Sequence, residues 1–361
     1  AFVVLLSHFA YAWASGGGLL WIRELNLGSD AVVLFFVLSG LVIAHTTTVK
    51  DNTIGQYALA RMSRLYSVAI PALLLSFACA SLGHLIDPER FDALLWTEAA
   101  EQAIRGLTFT NYVWWDSQRI AFNGPYWSVS YEFWYYVLFG VAFYLRGRAR
   151  LWSLVLISLF LGPKILLLAP CWLTGVLIYR ALKSGVSQRS TGELWRLTLG
   201  PWLIYALLLA IDMPLRLTVF TWQVFGQIHP NALFGFSDEF IWNTVLAALF
   251  SAHFIGVAGL LRNGSSILES AAGATKWISG RTFSLYLFHM PLLKLGSGLP
   301  GFDAADVAHS TSLLLVTIAA CLLLAEATER RLTEWRSFFS LVFRCCTRAI
   351  TSLSPGFARQ P

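Results

Sequence analysis

Five residues, in four segments, place chemically able side chains in or beside apolar stretches. His8 stands in Leu5-Leu6-Ser7-His8-Phe9. A neutral imidazole there can act as a general base near pH 7, or it can be a hydrogen-bonded histidine between helices. Arg61 and Arg64, in Ala60-Arg61-Met62-Ser63-Arg64-Leu65-Tyr66, are three apart and share a helix face. Two adjacent guanidiniums suit a phosphate or carboxylate; basic anchors at a membrane surface show the same spacing. Glu132 lies in Asn123-Gly124-Pro125-Tyr126-Trp127-Ser128-Val129-Ser130-Tyr131-Glu132-Phe133. A buried carboxylate must pair or take up a proton, so Glu132 is either a working acid or half of a structural ion pair. His289 lies in Phe283-Ser284-Leu285-Tyr286-Leu287-Phe288-His289-Met290-Pro291. Its proline loosens the local helix and frees backbone carbonyls; the alternative is a packing histidine beside a kink. Charges inside a span cost about 2.5–3.5 kcal/mol on insertion scales, so each of these positions asks for an explanation.

Other chemistries find no motif. There is no HExxH, CxxC or P-loop, no GxSxG elbow, no metal-ligand cluster and no dinucleotide fingerprint. Ser39-Gly40 and Gly16–Gly18 fit close packing or turns better than phosphate cradles. His45, His84, His253 and His309 fall at span ends and His229 in a loop, and none is assigned a role. Trp127 and Tyr126 suit stacking on a sugar or adenine, or an aromatic belt at the membrane surface.

The elements that hold these residues follow from composition. Of 361 residues, 57% are hydrophobic and 13% charged, with a mean hydropathy of +0.62. Soluble domains carry about 25% charged residues. That contrast excludes an ordinary soluble protein, a disordered chain and a coiled coil. Five scattered cysteines exclude a disulfide scaffold, and long continuous apolar runs argue against a β-barrel. The expected fold is all-α, a polytopic integral membrane protein with ten spans near 1–14, 31–48, 66–86, 126–145, 151–168, 170–182, 199–211, 240–261, 282–296 and 307–327. A span takes about 20 apolar residues, so the first is short, and further natural residues are expected before Ala1. The stretch 213–237 holds Arg216, Gln223, Gln227, His229 and Asn231 and reads as an outer loop or re-entrant segment.

With both termini in the cytosol, nineteen of the 26 Lys and Arg residues fall on the cytosolic side, as the positive-inside rule requires. The net charge of +6 is thus a topology signal and does not point to nucleic acid. The outer segment 87–123, mixing acids with Trp96, Tyr112, Trp114 and Trp115, suits a partial helix on the leaflet or a groove for a polar acceptor. Residues 1–329 form the transmembrane domain. Residues 330–361 form a basic cytosolic tail, in which Cys345-Cys346 reads as a reduced thiol pair, with lipidation weakly signalled.

At these positions the chain resembles the membrane acyltransferase 3 family, whose members acylate cell-surface glycans and some small molecules. Five blocks carry the resemblance in the family's order: Leu6-Ser7-His8-Phe9; Gly28-Ser29-Asp30 to Phe35-Phe36-Val37-Leu38-Ser39-Gly40; Arg61-Met62-Ser63-Arg64-Leu65-Tyr66; Asn123 to Glu132; and Ser284 to Pro291. The family's arginine eleven residues before the first-span histidine would fall before Ala1, and Leu41 stands where the family often has Phe. The resemblance implies an acyl-CoA co-substrate, usually acetyl-CoA, with no bound cofactor and no metal. It implies a carbohydrate acceptor, extracytoplasmic or lipid-linked, at a bacterial inner (cell) membrane. It implies donor binding by Arg61 and Arg64 and a catalytic His8, as general base or transient acyl carrier. Glu132 would orient His8 or hold an arginine, while Trp127, Tyr286 and His289 would serve the substrate or the structure. A glycan or lipid transporter, or an inactive scaffold, would share the spans and buried charges but use no acyl donor.

Overall fold

The computed structural model describes residues 1–225 and 234–353. The described residues are mostly helical, and no strand occurs among them. The helices used below are α1 (Phe2–Phe9), α2 (Ala12–Ser15), α3 (Leu20–Glu24), α4 (Leu27–Val49), α5 (Ile54–Ile86), α6 (Trp96–Thr108), α7 (Trp127–Tyr144), α8 (Gly147–Leu161), α9 (Pro163–Lys183), α10 (Thr191–Ala210) and α11 (Met213–Val224). Beyond the undescribed 226–233 follow α12 (Phe240–Arg262), α13 (Ser266–Ser270), α14 (Ala272–Ser279), α15 (Thr282–Ser297), α16 (Val307–Ala327) and α17 (Leu332–Leu353).

Local chemistry starts and stops these helices. Thr53 and Gln56 form a capping box that opens α5, Ser190 and Glu193 do the same for α10, and the Asp306 carboxylate accepts from two N–H groups of α16. The break expected near 168–170 falls instead at Gly162-Pro163. Gly162 has φ +75°, which favours glycine, and Pro163 supplies the first residue of α9. Pro170 sits inside α9 without ending it, because packed neighbours tolerate a proline within a membrane helix.

Among the described residues, five helical stretches are long and apolar enough to cross a membrane: Leu27–Val49, Ile54–Ile86, Pro163–Lys183, Phe240–Arg262 and Val307–Val342, the last taking in α16 and the start of α17. A sixth is added if α10 and α11, bent by 63°, count together. Ten were expected. The difference has local causes. The 1–14 stretch breaks at Tyr11, whose backbone is extended, leaving eight residues in α1. The segment 151–168 is divided between α8 and α9 at Gly162, and α15 has 16 residues. The 213–224 part of the expected loop is helix α11; Gln227, His229 and Asn231 lie outside the described residues. So do the side chains of Cys345 and Cys346, and residues 354–361. The tail is not loose up to there: Phe339 of α17 is buried, its ring 5.5 Å from that of Tyr66.

Large apolar side chains remain uncovered along α5, α8, α10 and α16: Leu74, Leu156, Leu203 and Leu323 among them. A continuous apolar exterior is what lipid-facing helices present, and the chain is a multi-pass membrane protein.

Helix α1 lies between α4 and α15, and α4 packs closely on α9. The α4–α9 contact is made by two glycines. A Cβ at Gly40 would collide with the Trp172 carbonyl oxygen, and one at Gly175 with that of Val37. Alanine at either position is expected to destabilise the protein by about 1–3 kcal/mol, the cost of overpacking. Gly55, around which a Cβ meets open space, is the control: Gly55→Ala should leave the melting temperature in nanodiscs unchanged, while Gly40→Ala and Gly175→Ala lower it. Equal melting temperatures for all three would contradict this account of the contact.

Candidate active site

Val4, Ser7 and His8 of α1 line one cavity, joined by Tyr11 from the break after it. The three α1 positions share one helix face. Tyr286, Met290 and Lys294, one turn apart on α15, line the facing wall. The cavity measures about 730 Å³ and is open at one side, a size suited to a small-molecule or sugar ligand.

The two histidines meet here. His8 Nδ1 is 2.9 Å from His289 Nε2, and His289 Nδ1 is 2.9 Å from the Leu285 carbonyl oxygen. A carbonyl only accepts, so His289 carries its proton on Nδ1 and presents Nε2 as an acceptor. The bond between the rings then needs a proton on His8 Nδ1. The hydrogen-bond pattern thus assigns the tautomer of both neutral rings, and in that form His8 Nε2 carries no proton. His289 is wholly buried while His8 is half-buried on the cavity wall.

Other groups frame this nitrogen. The Tyr286 hydroxyl donates to the Pro125 carbonyl (3.1 Å) and pairs with Ser128 Oγ (2.7 Å), and its ring stacks on Phe35. Trp127 is buried and lies face to face with Phe236, ring centroids 4.5 Å apart. It is therefore a cavity wall and not a lipid-facing belt aromatic. Tyr126 is also buried, its hydroxyl donating to the Gly106 carbonyl, but it does not line the cavity. Arg23 stacks over the Tyr11 ring at 3.5 Å and donates to the Ser7 carbonyl. Glu239 accepts from Asn26 (2.7 Å to each oxygen) and from Ser29. Burial and the neighbouring Glu239 push the Asp238 carboxyl up to about 6.

Glu132, Arg61 and Arg64 do not line this cavity. Glu132 accepts from Ser39 Oγ (2.6 Å) and from the Tyr136 hydroxyl, and Trp172 Nε1 donates to the same Ser39 oxygen at 3.1 Å. Glu132 makes no hydrogen bond to His8; it joins α4, α7 and α9 in one buried polar node, within electrostatic reach of Arg64 and Arg61. Arg61 pairs with Asp51 at 3.3 Å and keeps a buried Nε without a partner. Arg64 is exposed, and its side chain makes no ion pair or hydrogen bond among the described residues. Because α5 begins at Ile54, both arginines sit within the helix and not at its start.

Several residues carry no sequence signal as site or scaffold groups. Arg23, Arg119 and Lys294 read only as topology charges, although Lys294 follows Tyr286 and Met290 at helical spacing. Asp30 is a buried strut, accepting from Tyr205 (2.6 Å) and Trp242 (2.7 Å). Glu329 accepts from the Ser284 N–H (3.0 Å) and hydroxyl (3.1 Å), closing the start of the helix that carries His289. Among the described residues no group of three or more His, Cys, Asp or Glu side chains converges as a metal site would.

The His8–His289 pair thus lies on a cavity within an α-helical, multi-pass membrane protein. A family model described as an acyltransferase domain matches residues 1–326, and the chain belongs to the acyltransferase 3 family. It is therefore an acyltransferase of a kind that does not transfer amino-acyl groups. No curated protein and no solved structure matches the chain significantly.

The bond to His289 holds the His8 ring in this tautomer. His289→Leu removes the acceptor for His8 Nδ1–H and should lower kcat by about 10²-fold, the lower end of what a positioned base supplies, with KM for the acyl donor little changed. His289→Gln, which can place an amide oxygen near the lost Nε2, should recover part of the loss. Equal kcat losses in both variants, tracking a lost melting temperature, would show a packing role only.

Proposed function

We propose that this acyltransferase moves an acyl group, most simply acetyl, from acyl-CoA to a hydroxyl of an extracytoplasmic or lipid-linked carbohydrate. The observation that carries the proposal is the bare His8 Nε2 on the cavity wall, held by the bond to His289. The reading places both termini and the Arg61/Arg64 end of the bundle in the cytosol of a bacterial inner membrane, where acyl-CoA is found. The two guanidiniums there bind the phosphates of the donor. The cavity then opens on the opposite side, toward the acceptor.

In the reaction, His8 Nε2 takes the proton of the acceptor hydroxyl as its oxygen attacks the thioester carbonyl carbon. The C–O bond forms, the C–S bond breaks, and the proton passes from the His8 imidazolium to the departing CoA thiolate. An acyl-carrier route uses the same nitrogen as the nucleophile, with the acyl group held on His8 before transfer. Glu132, buried within electrostatic reach of the arginines, sets how firmly they hold the donor.

The test uses protein in nanodiscs with acetyl-CoA radiolabelled in the acetyl group. CoA release should disappear in His8→Ala without loss of folding, since a missing base costs about 10²–10⁴-fold. Arg61→Ala/Arg64→Ala should raise KM for the donor. Label retained on wild-type protein selects the acyl-carrier route. Near-normal turnover by His8→Ala would overturn the assignment, and a folded protein that never engages acetyl-CoA would require another acyl donor.

A further inference from the structure

The cavity wall beside His8 carries three cations. Arg23, Arg119 and Lys294 all line it. None has a carboxylate within ion-pair distance among the described residues. Arg23 is occupied by the Ser7 carbonyl and the Tyr11 ring. Lys294 and Arg119 are not occupied in that way. The half-buried Lys294 ammonium rests 5.0 Å from the centre of the Phe122 ring and makes no hydrogen bond among the described residues. Exposed Arg119 makes neither a hydrogen bond nor an ion pair among them. Both line the same cavity as His8.

The acids of the cavity do not answer this charge. Both Glu239 oxygens are taken up by Asn26 and Ser29, and Asp238 makes no ion pair with any of the three cations. Like charges brought together in a partly desolvated site are costly unless an anion joins them. A planar guanidinium and an ammonium together suit a carboxylate or a phosphate. The aromatic walls, Trp127 stacked on Phe236 and Tyr112 beside them, offer apolar faces on which a sugar ring can rest.

We propose that the acceptor is an anionic carbohydrate, its carboxylate or phosphate held between Lys294 and Arg119 while one of its hydroxyls meets His8. This rests on the acyl-transfer reading for the identity of the ligand as acceptor. The anionic group fixes the sugar from one side of the cavity, so that a single hydroxyl is brought to the base.

Binding is read without turnover, by the rise in melting temperature of the nanodisc protein at low salt. The probes are methyl glucuronide, glucose 1-phosphate, methyl glucoside and inorganic phosphate. At least one of the two anionic sugars should stabilise the wild type at concentrations about tenfold below those needed for methyl glucoside. Lys294→Gln and Arg119→Gln should each raise the required concentration by about tenfold. Because Arg119 is exposed, its variant keeps the test valid if the Lys294 variant does not fold. A response to glucuronide alone assigns a carboxylate, and one to the sugar phosphate alone assigns a phosphate. Equal responses to charged and neutral sugars, or no response to any, would overturn the proposal. So would an anionic preference that survives both substitutions, or inorganic phosphate acting as well as glucose 1-phosphate. A preserved anionic preference in a protein that never turns over acetyl-CoA would sink the acyl-transfer reading and leave the subsite standing.

Discussion

The bond from His289 Nδ1–H to the Leu285 carbonyl decides what the cavity can do. Within an apolar bundle a free carbonyl is rare, because helix carbonyls are spent along the helix. Pro291 has no N–H, so the carbonyl of Leu287, four residues earlier, is released from its helical partner; that carbonyl accepts instead from Asn123 Nδ2 at 2.9 Å. The carbonyl of Leu285 takes the imidazole proton of His289. Each ring then has one defined role: His289 accepts and His8 donates, leaving His8 Nε2 bare. Were the His289 proton on Nε2, His8 would have to accept, and its cavity-facing nitrogen would carry hydrogen.

The remaining architecture protects this arrangement and keeps a second polar centre away from it. Glu329 closes the first turn of α15 and so fixes the helix that carries His289. Asp30 ties α4 to α10 and α12. Glu132, Ser39, Tyr136 and Trp172 form a node among α4, α7 and α9 that leans electrostatically toward Arg61 and Arg64. The histidine pair thus lies on the cavity, and the two arginines and the buried Glu132 lie outside its lining. That division suits a reaction whose two substrates come from different compartments, one anionic and bulky, the other a sugar.

Much of this arrangement is legible in the amino-acid sequence. The i, i+3, i+4 run of Val4, Ser7 and His8 marks one face of α1, and the cavity uses that face. The predicted 307–327 span is a helix with those bounds, and the 240–261 span is off by one residue. What periodicity cannot supply is which faces meet. His8 and His289 are 281 positions apart, and no local pattern pairs them. The sequence leaves Glu132 open between two partners, and it hydrogen-bonds instead to Ser39 and Tyr136, neither of them a charged group. Pro170 misleads because proline ends helices in water, whereas the Gly162-Pro163 pair, with its positive φ, is the true break. Arg23, Arg119 and Lys294 are hidden for a different reason. Charges near span ends are expected on topology grounds alone, so nothing in their spacing marks them as cavity residues.

The central claim is that donor and acceptor reach His8 from opposite faces of the membrane. The most direct measurement uses sealed vesicles holding the protein in one orientation, with radiolabelled acetyl-CoA on the Arg61/Arg64 side and a carbohydrate acceptor on the other. The account predicts labelled acceptor only when the two substrates are on opposite sides in this sense. Transfer that requires both on the same side, or that proceeds with the donor supplied to the cavity side alone, would contradict it.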